Sequence, residues 1–333
     1  REAPSIRLRS STSDRSADLK IPEVSTIGVL GGGLMGHGLA LEFARAGYQV
    51  RIYDSIAAQR DSAPERLRGA YKTMSDMGMA DAAEADEIMD RIKVVDSMEE
   101  LGASAEYILE AVTEDIDIKK AAFAELDRVC GPDVILASNT SALSPTDLGS
   151  ATNRPEKVVV THFFIPPYLL PLVEVVPGEK TDQTTVDLAA RICESIGKTA
   201  IRLSREVQGF VVNRLQFAMF REALSLVQNG IVSPEDVDKA TTMSWGNRLG
   251  VFGPFKIADI AGLDTYDLVC KTVFPTLGTD HDVAGFFADK VASGKLGAKT
   301  GEGIYQWPEG ALDDARAQIA RHALFTFGGG EPD

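Results

Sequence analysis

Near the start of the chain, apolar stretches and glycines follow one another in the order strand, helix, strand. The apolar, β-branched run at residues 25–30 leads into a glycine cluster and then a helical pattern that Gly47 ends. Glycine is common directly after a helix because it adopts a left-handed backbone at no steric cost. Residues 49–54 predict the second strand. This segment therefore predicts one β-α-β unit.

The alternation of strands and helices continues as far as residue 203. We expect a long polar helix over residues 58–90, helices at 117–129 and 184–196, and strands at 92–95, 106–109, 134–138, 157–162, 172–176 and 200–203. Such alternation is typical of a parallel sheet covered by helices on both faces. The pattern predicts an α/β fold with a Rossmann-type, doubly wound, mainly parallel sheet.

The character of the chain changes after Val207. Residues 209–230 read as one long helix, residues 233–236 give the start signal of the next, and only residues 303–305 indicate a later strand. We therefore predict three segments: a disordered tail at 1–22 that is not a secretory signal, a Rossmann-type domain at 23–205, and a smaller all-α C-terminal domain at 206–333.

Composition narrows the classes of function. The 333 residues carry a formal net charge of −15, which disfavours nucleic acid and anionic membranes as partners because like charges repel. No apolar run approaches the roughly 20 residues of a membrane-spanning helix. The isolated cysteines Cys130, Cys193 and Cys270 indicate reduced thiols in a cytoplasmic-type compartment. The acidic residues Glu2, Asp14 and Asp18 of the tail disfavour a transit peptide, so a mitochondrial-matrix location is less expected. The four histidines lack metal-ligand spacing, and we expect no metal.

Gly31, Gly33 and Gly36 form the pattern G-x-G-x-x-G between the first predicted strand and helix. The first glycine allows a tight turn, the second a close approach of a pyrophosphate to the backbone, and the third close packing of helix on strand. The start of that helix, at Leu34 and Met35, presents free N–H groups to the phosphates. The pattern therefore predicts a dinucleotide site.

Asp54 ends the second predicted strand, where a carboxylate accepts hydrogen bonds from the adenosine-ribose hydroxyls. The following Ser55 and Ile56 offer no arginine to bind a 2′-phosphate. We therefore predict NAD as the cofactor, in preference to NADP. FAD is an alternative because flavoenzymes share the fingerprint, and a glycine-rich turn without a ligand is another.

His162 ends the predicted strand KVVVTH, and open α/β sheets build their sites at strand ends. Twelve residues later, Glu174 lies in the apolar run PLVEVV, where a carboxylate is costly unless it is paired. An imidazole is a suitable partner, and we predict a catalytic pair. The alternatives are an ordinary core histidine and a glutamate that faces water at the edge of the sheet.

Two further polar positions leave alternatives open. The turn Asn139-Thr140-Ser141 follows a predicted buried strand. Its polar side chains either belong to the active site or cap the helix that follows. Asn213 lies one turn inside the long predicted helix, where asparagine lowers helix propensity. It either caps a local group or faces a ligand, and the residues alone do not decide between the two.

At these residues the sequence resembles the 3-hydroxyacyl-CoA dehydrogenase family, from about residue 25 to residue 307. The segments that carry the resemblance are IGVLGGGLMGHGLA, SNTSAL, THFF with its following PP, LVEVV, GFVVNR and GAKTGEGIYQW. The resemblance implies NAD-linked, reversible oxidation of the 3-hydroxyl of an L-3-hydroxyacyl-CoA, of short chain, to the 3-ketoacyl-CoA. It also implies a second domain that serves substrate binding and homodimer formation.

The resemblance further implies roles for individual residues. His162 would be the base and Glu174 its partner, while Ser141 and Asn213 would hold the substrate oxygen. Cofactor contacts of the family fall on these positions: Asp54, Glu114, Lys119, Ser141 and Lys299.

Two departures leave the substrate open. Ile165 stands where the family usually has asparagine, and the segment PPYLLPLVEVVPGEKT is closer to relatives that act on carnitine and L-gulonate. The alternatives are therefore a dehydrogenase of a small free 3-hydroxy compound and a non-enzymatic NAD-binding structural protein. CoA would be met by a basic helical arm, for which this chain offers Arg66, Arg68 and Lys72, although these residues also suit a solvated helix face.

Overall fold

The computed structural model describes residues 21–279 and 284–327, so most of the predicted tail at 1–22 lies outside the described residues. The chain divides into two compact units. The first contains the described residues up to Val211 together with residues 323–327, and the second contains the described residues of Val212–His322. The division falls a few residues beyond the boundary that we predicted at 205.

The first unit is built on one eight-stranded sheet, as the sequence predicted. Its strands are β1 Thr26–Leu30, β2 Gln49–Tyr53, β3 Ile92–Val94, β4 Tyr107–Glu110, β5 Ile135–Ser138, β6 Val158–Phe163, β7 Leu172–Pro177 and β8 Thr199–Arg202. Their spatial order is β3-β2-β1-β4-β5-β6-β7-β8. All neighbours are parallel except β6 and β7, which run antiparallel.

Helices cover both faces of this sheet. They are α1 Leu34–Arg45, α2 Ala57–Asp76, α3 Ala85–Asp90, α4 Met98–Gly102, α5 Ile116–Val129, α6 Pro145–Gly149 and α7 Gln183–Ser195. The central strand β4 shows why two faces are needed. Tyr107 and Leu109 belong to one apolar cluster and Ile108 to another on the opposite face, and all three are fully buried.

The helical region predicted over residues 58–90 is present, but it is interrupted and not one continuous helix. Helix α2 ends at Asp76, where Gly78 takes a left-handed backbone with φ of 71°. Asp81 then caps a short 3₁₀ turn, Ala82–Glu84, by accepting a hydrogen bond from the backbone of Ala83. Left-handed glycine and an aspartate cap are ordinary helix-ending devices, and polar periodicity alone did not reveal them here.

The second unit is helical. Its helices are α8 Val212–Gln228, α9 Pro234–Thr242, α10 Trp245–Leu249, α11 Pro254–Ala261, α12 Leu263–Val273, α13 Ala284–Ala292 and α14 Ala311–Phe327, the last of which ends in the first unit. The strand predicted at 303–305 was wrong. In its place, Glu302 makes isolated bridges to Gly297 and Gln306. No helix in the described part of the chain has the length and apolar character required to cross a bilayer.

Candidate active site

The strand order reverses between β1 and β4, and ligands of open α/β sheets bind where the strand order reverses, beyond the carboxyl ends of the strands. The glycine loop lies there, directly after β1. Gly31 has φ of 104°, and a Cβ atom on it would lie 2.6 Å from the carbonyl oxygen of Ala111. A Cβ atom on Gly36 would overlap the carbonyl oxygen of Gly31. These two positions require glycine for packing reasons.

Gly33 differs, because a Cβ atom there would meet no atom within 4 Å. Gly33 is the N-cap of α1, no side chain caps this helix start, and no acidic residue lies in its first turn. The free N–H groups at Leu34 and Met35 therefore face open space with the partial positive charge of a helix N-terminus. A pyrophosphate fits this site.

Asp54 follows β2 beside the glycine loop. Its carboxylate accepts hydrogen bonds from the backbone N–H groups of Gly32, at 2.8 Å, and Ile56, at 2.9 Å. These contacts fix the carboxylate, and each oxygen keeps a second lone pair for a ribose hydroxyl.

Arg66 is a residue near the loop that sequence reasoning assigned elsewhere. A Cβ atom on Gly32 would lie 3.6 Å from Oδ2 of Asp54 and 3.7 Å from Nη2 of Arg66, so both side chains lie beside the same glycine. Arg66 donates to the carbonyl of Gln59, while its buried Nε has no hydrogen-bond partner among the described residues. Helix α2 thus brings an arginine next to Asp54, although Ser55 and Ile56 supply none.

The turn after β5 connects two predicted site residues, Glu114 and Ser141. The amide oxygen of Asn139 accepts the backbone N–H of Phe163 at 2.9 Å, which fixes the turn against the end of β6. The carboxylate of Glu114 accepts hydrogen bonds from the Thr140 hydroxyl and from the backbone N–H of Ser141, the latter at 2.8 Å. Glu114 and Ser141 therefore lie side by side.

Lys119 is also near this turn, but it is buried. Only 1% of its side chain is exposed, and Nζ lies 2.7 Å from Glu110 and 3.4 Å from Glu114. Glu110 accepts a further hydrogen bond from the Ser138 hydroxyl at 2.6 Å. Glu110 was not among the predicted site residues. Its position in the apolar strand β4 could have indicated a buried carboxylate that needs a partner. A direct contact of Lys119 with a cofactor stays a prediction.

His162 and Glu174 form a buried pair. They are directly opposite each other in the antiparallel register of β6 and β7, so their side chains project from the same face of the sheet. Nδ1 of His162 lies 2.7 Å from Oε2 of Glu174, and the two side chains are 5% and 0% exposed. With Glu174 ionised, Nδ1 carries the proton of this hydrogen bond, and the opposite nitrogen Nε2 is the basic atom of the neutral ring.

Two aromatic rings and one backbone group lie beside this pair. The ring of Phe164 lies 4.5 Å from the imidazole and that of Phe210 lies 5.6 Å from it, measured between centroids. The backbone N–H of Val211 donates to Oε1 of Glu174 at 2.8 Å. The pair is therefore held in an apolar environment with donors for both carboxylate oxygens.

The loop after β6 carries Ile165, whose side chain is 59% exposed. The loop is anchored by Lys198, which donates to the carbonyl of Pro167 and lies 2.8 Å from Glu42 of α1. Pro167 also packs against Gly38, where a Cβ atom would come within 2.7 Å of the proline ring. An apolar side chain thus faces outward from a fixed loop close in sequence to His162.

The basic residues considered for a CoA arm are mostly engaged. Arg68 pairs with Asp86 at 3.0 Å and Lys72 with Asp76 at 2.6 Å, both on the exposed surface. Arg66 lies at the glycine loop instead. The arm therefore presents little free positive charge to a CoA phosphate.

Asn213 and Lys299 belong to the second unit. Asn213 is in the first turn of α8, and Lys299 lies in the 3₁₀ turn Ala298–Thr300 with an exposed side chain. Their contributions to the site stay predictions. Within residues 21–279 and 284–327, no group of three histidine, cysteine or acidic side chains is arranged to hold a metal ion.

Comparison with protein families matches both parts of the chain. Residues 26–207 match the NAD binding domain of 3-hydroxyacyl-CoA dehydrogenase, and residues 209–307 match its C-terminal domain. The chain belongs to the 3-hydroxyacyl-CoA dehydrogenase family. It is accordingly an NAD-dependent oxidoreductase of the 3-hydroxyacyl-CoA dehydrogenase type, as the sequence analysis predicted.

Relatives within the family differ in substrate. The chain is 33% identical over 298 residues to 5-formyl-3-hydroxy-2-methylpyridine 4-carboxylate 5-dehydrogenase of Mesorhizobium japonicum, covering 90% of this chain and 96% of the relative. A solved structure of an enzyme of that name superposes with a TM-score of 0.84 at 32% identity, covering 92% of this chain and 100% of that one. The structure of (S)-3-hydroxybutyryl-CoA dehydrogenase from Ralstonia eutropha gives 0.72 at 31% identity, covering 86% and 100%.

Proposed function

We propose that this protein uses NAD to oxidise the hydroxyl of a small hydroxy carboxylate, with His162 as the base. The buried hydrogen bond between His162 and Glu174 at 2.7 Å carries this proposal. A hydride can leave an alcohol carbon only as the hydroxyl proton is taken up, and an imidazole held by a buried carboxylate is suited to that task. The carboxylate orients the ring and stabilises the imidazolium that forms.

The remaining roles follow from this assignment. The hydroxyl proton passes to Nε2 of His162, and Ser141 and Asn213 hold the substrate oxygen as the carbonyl forms. Bound NAD would supply the hydride acceptor. Residues fitted to hold it are the glycine loop Gly31–Gly36, the N–H groups at Leu34 and Met35, Asp54, Glu114, Lys119, Ser141 and Lys299. In the reverse direction His162 returns the proton.

The basic residues of helix α2 favour a free acid over a CoA thioester as the substrate. Arg68 and Lys72 are paired with neighbouring carboxylates, so a CoA phosphate gains little attraction there. Ile165 offers an exposed apolar side chain at the position where the family resemblance implies asparagine. The similarity to the pyridine carboxylate dehydrogenase supports a small free carboxylate as substrate, while the name of that relative places its reaction at a formyl group.

A short-chain L-3-hydroxyacyl-CoA is the second candidate. The similarity to (S)-3-hydroxybutyryl-CoA dehydrogenase, which this chain covers completely, favours it. The alternative of a non-enzymatic NAD-binding protein is disfavoured by the intact His162–Glu174 pair.

One panel of substrates tests these proposals. NADH absorbance is followed with NAD plus L-carnitine or L-gulonate, with NAD plus the aldehyde 5-formyl-3-hydroxy-2-methylpyridine 4-carboxylate, and with NADH plus acetoacetyl-CoA. Turnover of L-carnitine or L-gulonate with none of the thioester supports the first candidate, whereas turnover of the aldehyde alone would contradict it. Turnover of acetoacetyl-CoA alone would replace it with the second, and bound NADH with no turnover of any hydroxy compound would contradict both.

We also propose that the second unit forms a homodimer. Several of its large apolar side chains are more than half exposed, including Phe255 at 90%, Met243 at 80%, Val251 at 72% and Ile231 at 69%. Exposed apolar patches of this kind mark protein interfaces. Sedimentation of the wild-type protein and of Phe255→Asp tests this, and a monomeric wild-type protein would contradict it. A cytoplasmic location stays a prediction.

A further inference from the structure

The turn that precedes α8 makes two contacts with the His162–Glu174 pair, and both lie within the first unit. The N–H of Val211 donates to Oε1 of Glu174 at 2.8 Å. The ring of Phe210 lies 5.6 Å from the imidazole of His162, centroid to centroid, at an interplanar angle of 58°. One short segment therefore touches both members of the pair.

The backbone of this turn is unusual. Gly209 has φ of 77° and Phe210 has φ of 52°, and Phe210 is the one non-glycine residue with positive φ among those described. A left-handed backbone costs a residue such as phenylalanine about 1–3 kcal/mol and persists only where the surroundings impose it. Glycine would adopt this conformation without that energetic cost. The presence of phenylalanine therefore indicates that its side chain has a role at this position.

Packing explains how the strain is held. Phe210 is 1% exposed and forms a small apolar cluster with Val160 of β6, Val176 of β7 and Leu203. Because β6 carries His162 and β7 carries Glu174, the ring rests on the two strands that hold the pair. Two successive left-handed residues then end the turn so that the next amide, that of Val211, points at the carboxylate rather than along the helix.

We propose that Phe210 is a positioning residue for hydride transfer. Its ring covers the imidazole and excludes water from the pair, and its left-handed backbone aims the N–H of Val211 at Glu174. Both effects fix the direction of Nε2. This inference rests on the proposed function, in which His162 is the base. It also explains why the helix predicted from residue 209 begins only at Val212.

The test combines kinetics with a direct signal from the pair. Phe210→Leu keeps an apolar side chain but removes the ring, and it should lower kcat about tenfold or more while the Kd for NADH stays within about twofold. The N–H proton of an imidazole bound to a carboxylate resonates far downfield in NMR spectra, and His162→Gln assigns that signal. In Phe210→Leu the signal should shift upfield or broaden.

The matched control is Phe123→Leu, the same change at a fully buried phenylalanine in a different apolar cluster. It should lower Tm but leave kcat and the downfield signal unchanged. If Phe210→Leu behaves like Phe123→Leu in both readouts, the positioning role is wrong. Should Phe210→Leu fail to fold, Phe210→Met, which fills a similar volume, is measured in its place.

The test separates this inference from the proposed function. If the wild-type protein oxidises no hydroxy compound, the proposed function fails, while the downfield signal still reports the geometry of the pair. An unchanged signal in Phe210→Leu then overturns the positioning role. A changed signal supports it.

Discussion

Within its described residues, the first unit buries three glutamates against basic partners, and two of these pairs, those of Glu174 and Glu42, differ in what surrounds them. Glu174 pairs with the imidazole of His162, and the rings of Phe164 and Phe210 lie beside that imidazole. Glu42 faces two cations, Lys198 at 2.8 Å and Arg45 at 2.7 Å, and Lys198 also donates to the carbonyl of Pro167.

This difference in partners distinguishes a pair suited to proton transfer from a pair that stabilises the fold. An imidazole changes its charge near neutral pH and has a second nitrogen for a substrate. Lysine and arginine stay charged, and here their N–H groups donate to acceptors within the protein. The first pair suits proton transfer. The second pair holds α1 and the loop after β6 in place, so it stabilises the site without taking part in the reaction.

The largest expected effect comes from breaking the first pair. His162→Gln keeps a hydrogen-bonding side chain but removes the base, and turnover should fall by about 10³-fold or more. The Kd for NADH, measured by fluorescence, should change less than about twofold because the glycine loop is untouched. Normal turnover in this variant would remove His162 as the base.

Breaking the second pair should affect stability instead. Lys198→Met leaves Glu42 with Arg45 alone and should reduce the free energy of unfolding by about 3 kcal/mol, measured by urea denaturation. Adding Glu42→Gln should restore part of that loss, because the buried charge is then removed as well. A loss in the double variant equal to the sum of the losses in the two single variants would show that the two side chains do not interact.

Asp54 extends the comparison to a carboxylate held by backbone N–H groups alone. Asp54→Ala removes the proposed acceptor of the ribose hydroxyls and should raise the Kd for NADH about tenfold. Binding of NADPH should improve, since the repulsion of a 2′-phosphate disappears while Arg66 remains beside Gly32. Arg68→Ala, on the exposed side of α2, is the control and should change neither constant.

The smallest effect concerns pH. Burial raises the pKa of Glu42, but the charges of Lys198 and Arg45 outweigh burial and hold it below its ordinary value near 4.5. Because the folded protein binds the proton less readily than the unfolded chain, Glu42 stabilises the fold above about pH 4.5, and this contribution is lost as the pH falls below that value. Between pH 6 and pH 3, Glu42→Gln should lose less stability than the wild-type protein. A larger loss would contradict this assignment.

Many candidate site residues could be predicted from the sequence alone, because local sequence patterns determine local structure. The spacing of Gly31, Gly33 and Gly36 after a strand specifies a turn and a helix start, whatever the rest of the chain does. Charge in an apolar strand indicated that Glu174 needed a partner, and its short separation from His162 made an antiparallel pairing of neighbouring strands possible. Fold class followed from the same periodicities.

Only the tertiary structure decided which distant side chains meet. Arg66 reaches the glycine loop because α2 folds back over it, and Lys119 is buried because Glu110 lies beneath it on β4. Phe210 is left-handed because the packing of two strands imposes a backbone that its own preference opposes. Contacts of this kind depend on how elements are placed in space, and no periodicity along the chain records that placement.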